Sequence, residues 1–237
     1  MLAYHLRQFD QPYRSTEHLT RFLGSLPLSG GNALDVACGA GANIAFFSSR
    51  LKGFRWTGLD IFGDDLFEHG QKRLVEQGLD VRLVTGDLFD LTLHFAPLSF
   101  ELVTCVQTLS WIPDWRGALD QMLAVTKGWL VLSALFTDAN VEVVNHVVDL
   151  THPEMPPQDM GVLSLPRVRA HCEARGAIDF RSQEFAIDLD LTAPPDGLGT
   201  YTRKLEDGSR LQFTGPVYMP WRFVAIRSGA ASSGGGR

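Results

Sequence analysis

Asp35, Asp60 and Asp87 each follow a short apolar run, and the first is succeeded by a turn of small residues, Ala37-Cys38-Gly39-Ala40-Gly41. A second apolar run, Ile44-Ala45-Phe46-Phe47, comes directly after that turn. Together these read as a strand, a tight loop and a helix. Gly39 and Gly41 have no side chain, so the backbone turns sharply and a ligand can lie against its N–H groups. A helix opening near Ala42 aims its positive end and its unpaired N–H groups at the same spot. That arrangement suits a nucleotide-type ligand above the carboxyl end of a first strand. Asp60 stands 25 residues after Asp35, at the end of the next apolar run. A ribose diol offers two hydroxyl donors, and one carboxylate accepts both.

The dinucleotide fingerprint requires a small residue three positions after the second glycine. Ile44 stands there, which disfavours a nicotinamide-dependent oxidoreductase. The pattern Asp35-x-x-Cys38-Gly39-x-Gly41 instead closely resembles motif I of the class I S-adenosylmethionine-dependent methyltransferases, with Ala37 where that family usually has Gly. The resemblance covers residues 34–136 well and the remainder loosely. It implies a Rossmann-like α/β fold: a seven-stranded, mainly parallel sheet with helices on both faces and the last strand antiparallel. S-adenosylmethionine is the implied cofactor and S-adenosylhomocysteine the product. The implied cofactor contacts are Tyr13, Arg14, Asp35, Ala37, Cys38, Gly39, Gly41, Asn43, Asp60, Ile61, Asp87, Leu88, Cys105, Val106 and Gln107. Within that set Asp60 holds the ribose, and Asp87 receives the adenine amino group as an acceptor-only carboxylate. Backbone around Cys105 to Gln107 passes the sulfonium and amino-acid part. An N-terminal segment folds over the cofactor with Tyr13 and Arg14 at its mouth, plain surface packing being the alternative. The family often has a His where Ser110 stands, so one possible base is missing here.

These residues need elements to hold them. Ser15 or Thr16 is a cap for a helix to about Ser25, with Leu19, Phe22, Leu23 and Leu26 at helical spacing. Strands are expected at 54–59, 81–85, 100–106 and 129–136, and helices at 64–77 and from Pro113-Asp114 to about Thr126. The connection over 89–99 is barely long enough for a crossover helix and is expected to be short or irregular. Residues 140–150 read as a helix that Pro153, Pro156 and Pro157 cannot continue. A helix over 165–175 closes at Gly176, and 178–191 contains a further strand. Two β-prone runs around Asp207-Gly208 make a hairpin over 199–214, and 222–226 is the last strand. The Gly/Ser/Ala-rich tail 228–237 reads as disordered.

With 237 residues and 45% hydrophobic content, the chain suits one methyltransferase domain over 1–227. A net charge of −6 without a Lys/Arg cluster counts against nucleic acid as partner. Cys38, Cys105 and Cys172 are odd in number and widely spaced, which fits neither a disulfide framework nor a zinc site, and no metal is expected. No run reaches membrane-spanning length and the N-terminus lacks a signal-peptide pattern, so the expectation is a soluble, cytoplasmic protein without a membrane partner. The implied reaction moves a methyl group to an O or N atom of a small molecule. A binding module without catalysis, or a protein or RNA acceptor, are the other readings. A hydroxyl acceptor profits from a base; His146 and His152 in the insertion 137–164, then His5, are the candidates, a surface histidine being the plainer role for each. Insertion and hairpin are expected to close over the acceptor.

Overall fold

The computed structural model describes residues 2–154, 156–195 and 198–229, so most of the tail read as disordered lies outside the described residues. The chain enters through α1 (Leu2–Asp10) and α2 (Arg14–Gly24). Strand and helix then alternate: β1 (Gly31–Val36), α3 (Ala42–Arg50), β2 (Phe54–Asp60), α4 (Asp64–Glu76) and β3 (Arg82–Thr85). A 3-10 turn (Leu88–Asp90) and the single-turn α5 (Leu91–His94) follow, then β4 (Phe100–Val106), α6 (Trp115–Val125) and β5 (Thr126–Thr137). The second half holds β6 (Val143–Val147), β7 (Gln158–Ser164), α7 (Leu165–Ala174) and β8 (Ala177–Glu184). It ends with β9 (Thr200–Lys204), β10 (Arg210–Thr214), β11 (Val217–Tyr218) and β12 (Trp221–Ser228).

Each crossover returns the chain to the same end of the sheet, so β1 to β5 are parallel. Seven strands lie in the order β3-β2-β1-β4-β5-β12-β8, with β12 antiparallel to both of its neighbours. The mainly parallel sheet with an antiparallel last strand is thus the observed one. β2 and β4 flank β1 on opposite sides, so the strand order reverses there and opens a crevice at the carboxyl ends. Side chains alternate between two cores. Leu34 and Val36 face Trp115, Leu119 and Met122 of α6, whereas Ala33 faces Leu19 and Leu23 of α2 and Phe47 of α3.

Three local expectations are corrected. Residues 140–150 form no helix; β6 pairs antiparallel with β7 from Val143↔Val162 to Val147↔Gln158. Valines at 141, 143, 144, 147 and 148 favour the extended backbone, and β7 supplies the ladder. Neither Ser15 nor Thr16 caps α2: Tyr13 is the N-cap without a side-chain bond, and both hydroxyl residues are buried in the first turn. The hairpin gains a third strand, because β11 pairs with β10. α1, without a single buried residue, is an element the sequence reading did not identify, although Leu2, Leu6 and Phe9 recur at helical spacing.

Candidate active site

Between β1 and α3 the backbone enters the left-handed region at Ala37 (φ 56°), Gly39 (φ 55°) and Gly41 (φ 86°). Three such residues within five turn the chain through the crevice. Gly41 is the N-cap of α3 with no side-chain bond, so the first turn keeps N–H groups for a ligand. At Gly39 a Cβ would lie 2.5 Å from Nδ1 of His5, which shows how closely α1 sits on the loop.

The carboxylates gather at the ends of adjacent strands. The register Asp35↔Thr104 sets those two side chains side by side, and the Thr104 hydroxyl donates to Asp35 Oδ1 at 2.6 Å. Asp35 Oδ2 has no protein partner, and the residue is 1% exposed. Burial pushes its carboxyl up to about 7, against the Thr104 bond, with the Asp60 charge adding to the rise. Asp60 accepts from the backbone N–H of Gly39 at 2.7 Å and of Phe62 at 2.9 Å. Asp87 accepts from Phe89 N–H at 2.9 Å and caps the 3-10 turn. Ile61 and Phe62, beside Asp60, expose more than half of their surface, at 59% and 55%.

A cavity of about 680 Å³ runs from this loop to the far edge of the crevice. Of the residues singled out from sequence, Tyr13, Arg14, Ala37, Cys38, Gly39, Asn43, Val106 and Gln107 line it. Asp35, Gly41, Asp60, Ile61, Asp87, Leu88 and Cys105 do not; Cys105 is wholly buried, and burial pushes its thiol up to about 12. Gln107 (φ 57°) donates from Nε2 to Ser15 at 3.1 Å, tying the end of β4 to α2. Arg14 gives its guanidinium to Asp188, at 2.8 and 2.5 Å, and to Glu17. Its visible role is therefore to tether the segment after β8. Ser110 is buried, with its hydroxyl accepting from Leu135 N–H at 2.8 Å, and stands outside the lining.

His146 and His152 do not reach the cavity. His146 is exposed on β6 beside Asp159 at 2.8 Å, and His152 is exposed beside Glu154 at 3.4 Å. No described residue of the insertion 137–164 lines the cavity, because β6 and β7 extend the sheet sideways from β5. The hairpin does contribute, through Thr200, Gln212 and Thr214. The imidazole that lines the cavity is His5, whose pKa is lowered by burial, with Asp60 opposing. Sequence reasoning passed over Phe185, Ile187, Met219 and Trp221, which form the apolar wall. The signal for Phe185 and Ile187 was an apolar alternation around 185–191 that also reads as strand, and Met219 and Trp221 offered none beyond opening the last strand.

Residues 33–128, from β1 to the start of β5, match the family model described as a methyltransferase domain. The chain thus carries the sequence signature of a methyltransferase domain over that stretch. A ubiquinone biosynthesis O-methyltransferase of Chromobacterium violaceum is 30% identical to this chain over 114 residues, 47% of each. The chain thus spans about half the length of the curated relatives it matches. One chain of the complex between the Haloferax volcanii Trm112 methyltransferase activator and a methyltransferase superposes with a TM-score of 0.63 at 15% identity, covering 96% of this chain and 93% of that one. Magnesium protoporphyrin IX methyltransferase from Synechocystis PCC 6803, solved with bound S-adenosylmethionine, gives 0.55 at 13%, covering 96% and 84%. At these identities the solved structures speak to the methyltransferase fold alone. No helix among the described residues is long and apolar enough to cross a membrane.

Proposed function

We propose that this chain moves the methyl group of S-adenosylmethionine to an oxygen or nitrogen of a small, largely apolar molecule. The observation that carries the reading is one cavity that joins the glycine loop to an apolar wall of Phe185, Ile187, Met219 and Trp221. The residues present fit the cofactor. Asp35 holds a buried oxygen without a protein partner, suited to a water or ammonium group at the carboxyl end of β1. Asp60 has one backbone bond on each oxygen, and each oxygen can accept again from a ribose hydroxyl. Exposed Ile61 and Phe62 next to it offer an apolar surface to an adenine. Bound S-adenosylmethionine supplies a methyl group already activated on a sulfonium.

What the chain adds is alignment, worth on the order of 7–11 kcal/mol when the reacting atoms are held at near-attack distance. The lining excludes water on the apolar side, and Gln107 and Thr108 place polar groups where β4 ends. A hydroxyl acceptor gains roughly 10²–10⁴-fold from a positioned base. That role falls to His5, kept neutral at physiological pH by burial, in place of His146 or His152. The net charge of −6 speaks against an RNA acceptor, and the three unpaired, buried cysteines suit a reducing cytoplasm. Transfer of labelled methyl from S-adenosylmethionine to a small-molecule extract, with none to protein or RNA, is the expected result. Label appearing only in macromolecules would overturn the acceptor assignment.

A further inference from the structure

A strand at the edge of a sheet keeps a row of unpaired N–H and C=O groups, and proteins guard such edges with charges, proline, bulges or shortness. Two edges of the main sheet are guarded in this way. β3 has four residues and opens on Arg82, and β8 carries Asp179, Arg181 and Glu184. The third edge is β6, which among the described residues pairs with β7 alone. Its stretch Val143-Val144-Asn145-His146-Val147-Val148 contains no Lys, Arg, Asp, Glu or Pro, and the ladder to β7 runs without a bulge. Val141, Val144 and Val148 expose more than half of their surface, and Val143 exposes 44%. Glu142, the carboxylate just before this stretch, is engaged by Arg116 and Arg167. The edge is therefore apolar, uncharged and open to pairing.

Charge and symmetry select the occupant. A chain of net charge −6 repels its own copy, and does so least where it presents no ionised side chain, as over 143–148. A charged partner would find no opposite charge on that stretch. A copy meets β6 through a two-fold axis, and an axis at Asn145, the middle residue of β6, uses the whole strand. Val143 then stands opposite Val147 of the partner subunit, Val144 opposite His146 of the partner subunit, and Asn145 opposite its own equivalent. Glu142 falls opposite Val148 of the partner subunit, so no like charges face each other. Cross-strand pairs of β-branched residues stabilise an antiparallel ladder. We propose that β6 is a dimerisation strand: two copies of this chain pair antiparallel about Asn145 and continue the sheet from one subunit into the other. No described residue of 137–164 lines the cavity, so this pairing leaves both cavities open.

The test is sedimentation velocity on the full chain across the micromolar range, with two kinds of variant. One strand pair is a small interface, so a reversible dimer with a Kd on the order of micromolar is expected. Val144→Lys gives this edge the charge that the other two carry. It should be monomeric wherever the wild type is dimeric, with circular dichroism and urea midpoint unchanged, since the side chain is exposed. Asn145→Cys sets two thiols opposite each other on the axis, where Cα atoms of a ladder pair lie roughly 4.5–5.5 Å apart and a disulfide can close. The three native cysteines are buried, so mild oxidation should link Asn145→Cys chains into covalent dimers. Val143→Cys sets its two thiols four residues out of register, roughly 13–14 Å apart, and should not link. A wild type that stays monomeric, a dimer that Val144→Lys leaves intact, or linkage through Val143→Cys in place of Asn145→Cys overturns the proposal. None of these readouts uses cofactor or acceptor, so they stand apart from the methyltransferase reading.

Discussion

Asp35 sits under Thr104 with one oxygen unpaired, so its ionisation is coupled to folding and to the ligand. A carboxyl raised to about 7 keeps its proton in the folded state over a range where the unfolded chain has already lost it. Stability should therefore fall as pH rises from about 4 to 7, by roughly 1.4 kcal/mol per unit, and level off above that. Asp35→Asn removes this component, so urea unfolding at pH 5 and pH 8 should show a smaller difference for the variant than for the wild type; equal differences would refute the assignment. Asp60→Ala should cost about tenfold or more in S-adenosylhomocysteine affinity, since hydrogen bonds to a charged group are worth roughly 1.5–3 kcal/mol each. Calorimetry on the folded variant checks it. Ala37 takes a left-handed φ of 56° that its Cβ resists. Ala37→Gly should therefore stabilise the fold by up to about 1 kcal/mol, offset in part by the freer unfolded chain. His5→Gln should lower the turnover number and remove its acid limb, which in the wild type falls below His5's depressed pKa.

At the scale of elements, the cavity is closed by parts that meet from opposite ends of the chain. Arg14 at the start of α2 holds Asp188 after β8, and its guanidinium keeps the Asp188 carboxyl well below the usual carboxylate range. The tether therefore stays ionised at physiological pH. If it acts only through the 185–191 segment, Asp188→Asn and Arg14→Gln should raise the acceptor KM to a similar extent. A loss of S-adenosylhomocysteine affinity confined to Arg14→Gln would instead make Arg14 a direct cofactor contact. The β9–β10 hairpin supplies Gln212 from above, so replacing 201–213 by a tight turn should spare cofactor binding and abolish turnover. Undiminished turnover would take the hairpin out of the active site. Shortening the β6–β7 insertion should change neither, because none of its described residues lines the cavity.

For the whole molecule, a ligand that binds only the folded chain stabilises it by mass action. S-adenosylhomocysteine at about a hundred times its Kd should add roughly 2.7 kcal/mol. In a domain of this size that is a rise in Tm of roughly 5–11 °C. NAD should leave Tm unchanged, as Ile44 stands where the dinucleotide fingerprint needs a small residue. A thermal scan with each compound separates the two.

Local chemistry was sufficient to read most of the frame from the sequence. The glycine turn, the spacing of Asp35, Asp60 and Asp87, and the alternation through β5 follow from backbone sterics and apolar periodicity, which act over a few residues. The hairpin around Asp207-Gly208 was equally legible, because a turn of this type depends on its own residues. Tertiary structure alone decided where pairing partners lie far apart in the chain. Residues 140–150 carry both helical spacing and β-branched valines, and only the ladder to β7 selects the strand. Arg14 found Asp188 across 174 positions, so its role as a tether could not be read locally. The same holds for the cavity wall: Phe185 and Ile187 after β8 meet Met219 and Trp221 before and at the start of β12 only in the folded chain, because no local pattern brings stretches more than thirty residues apart to one surface.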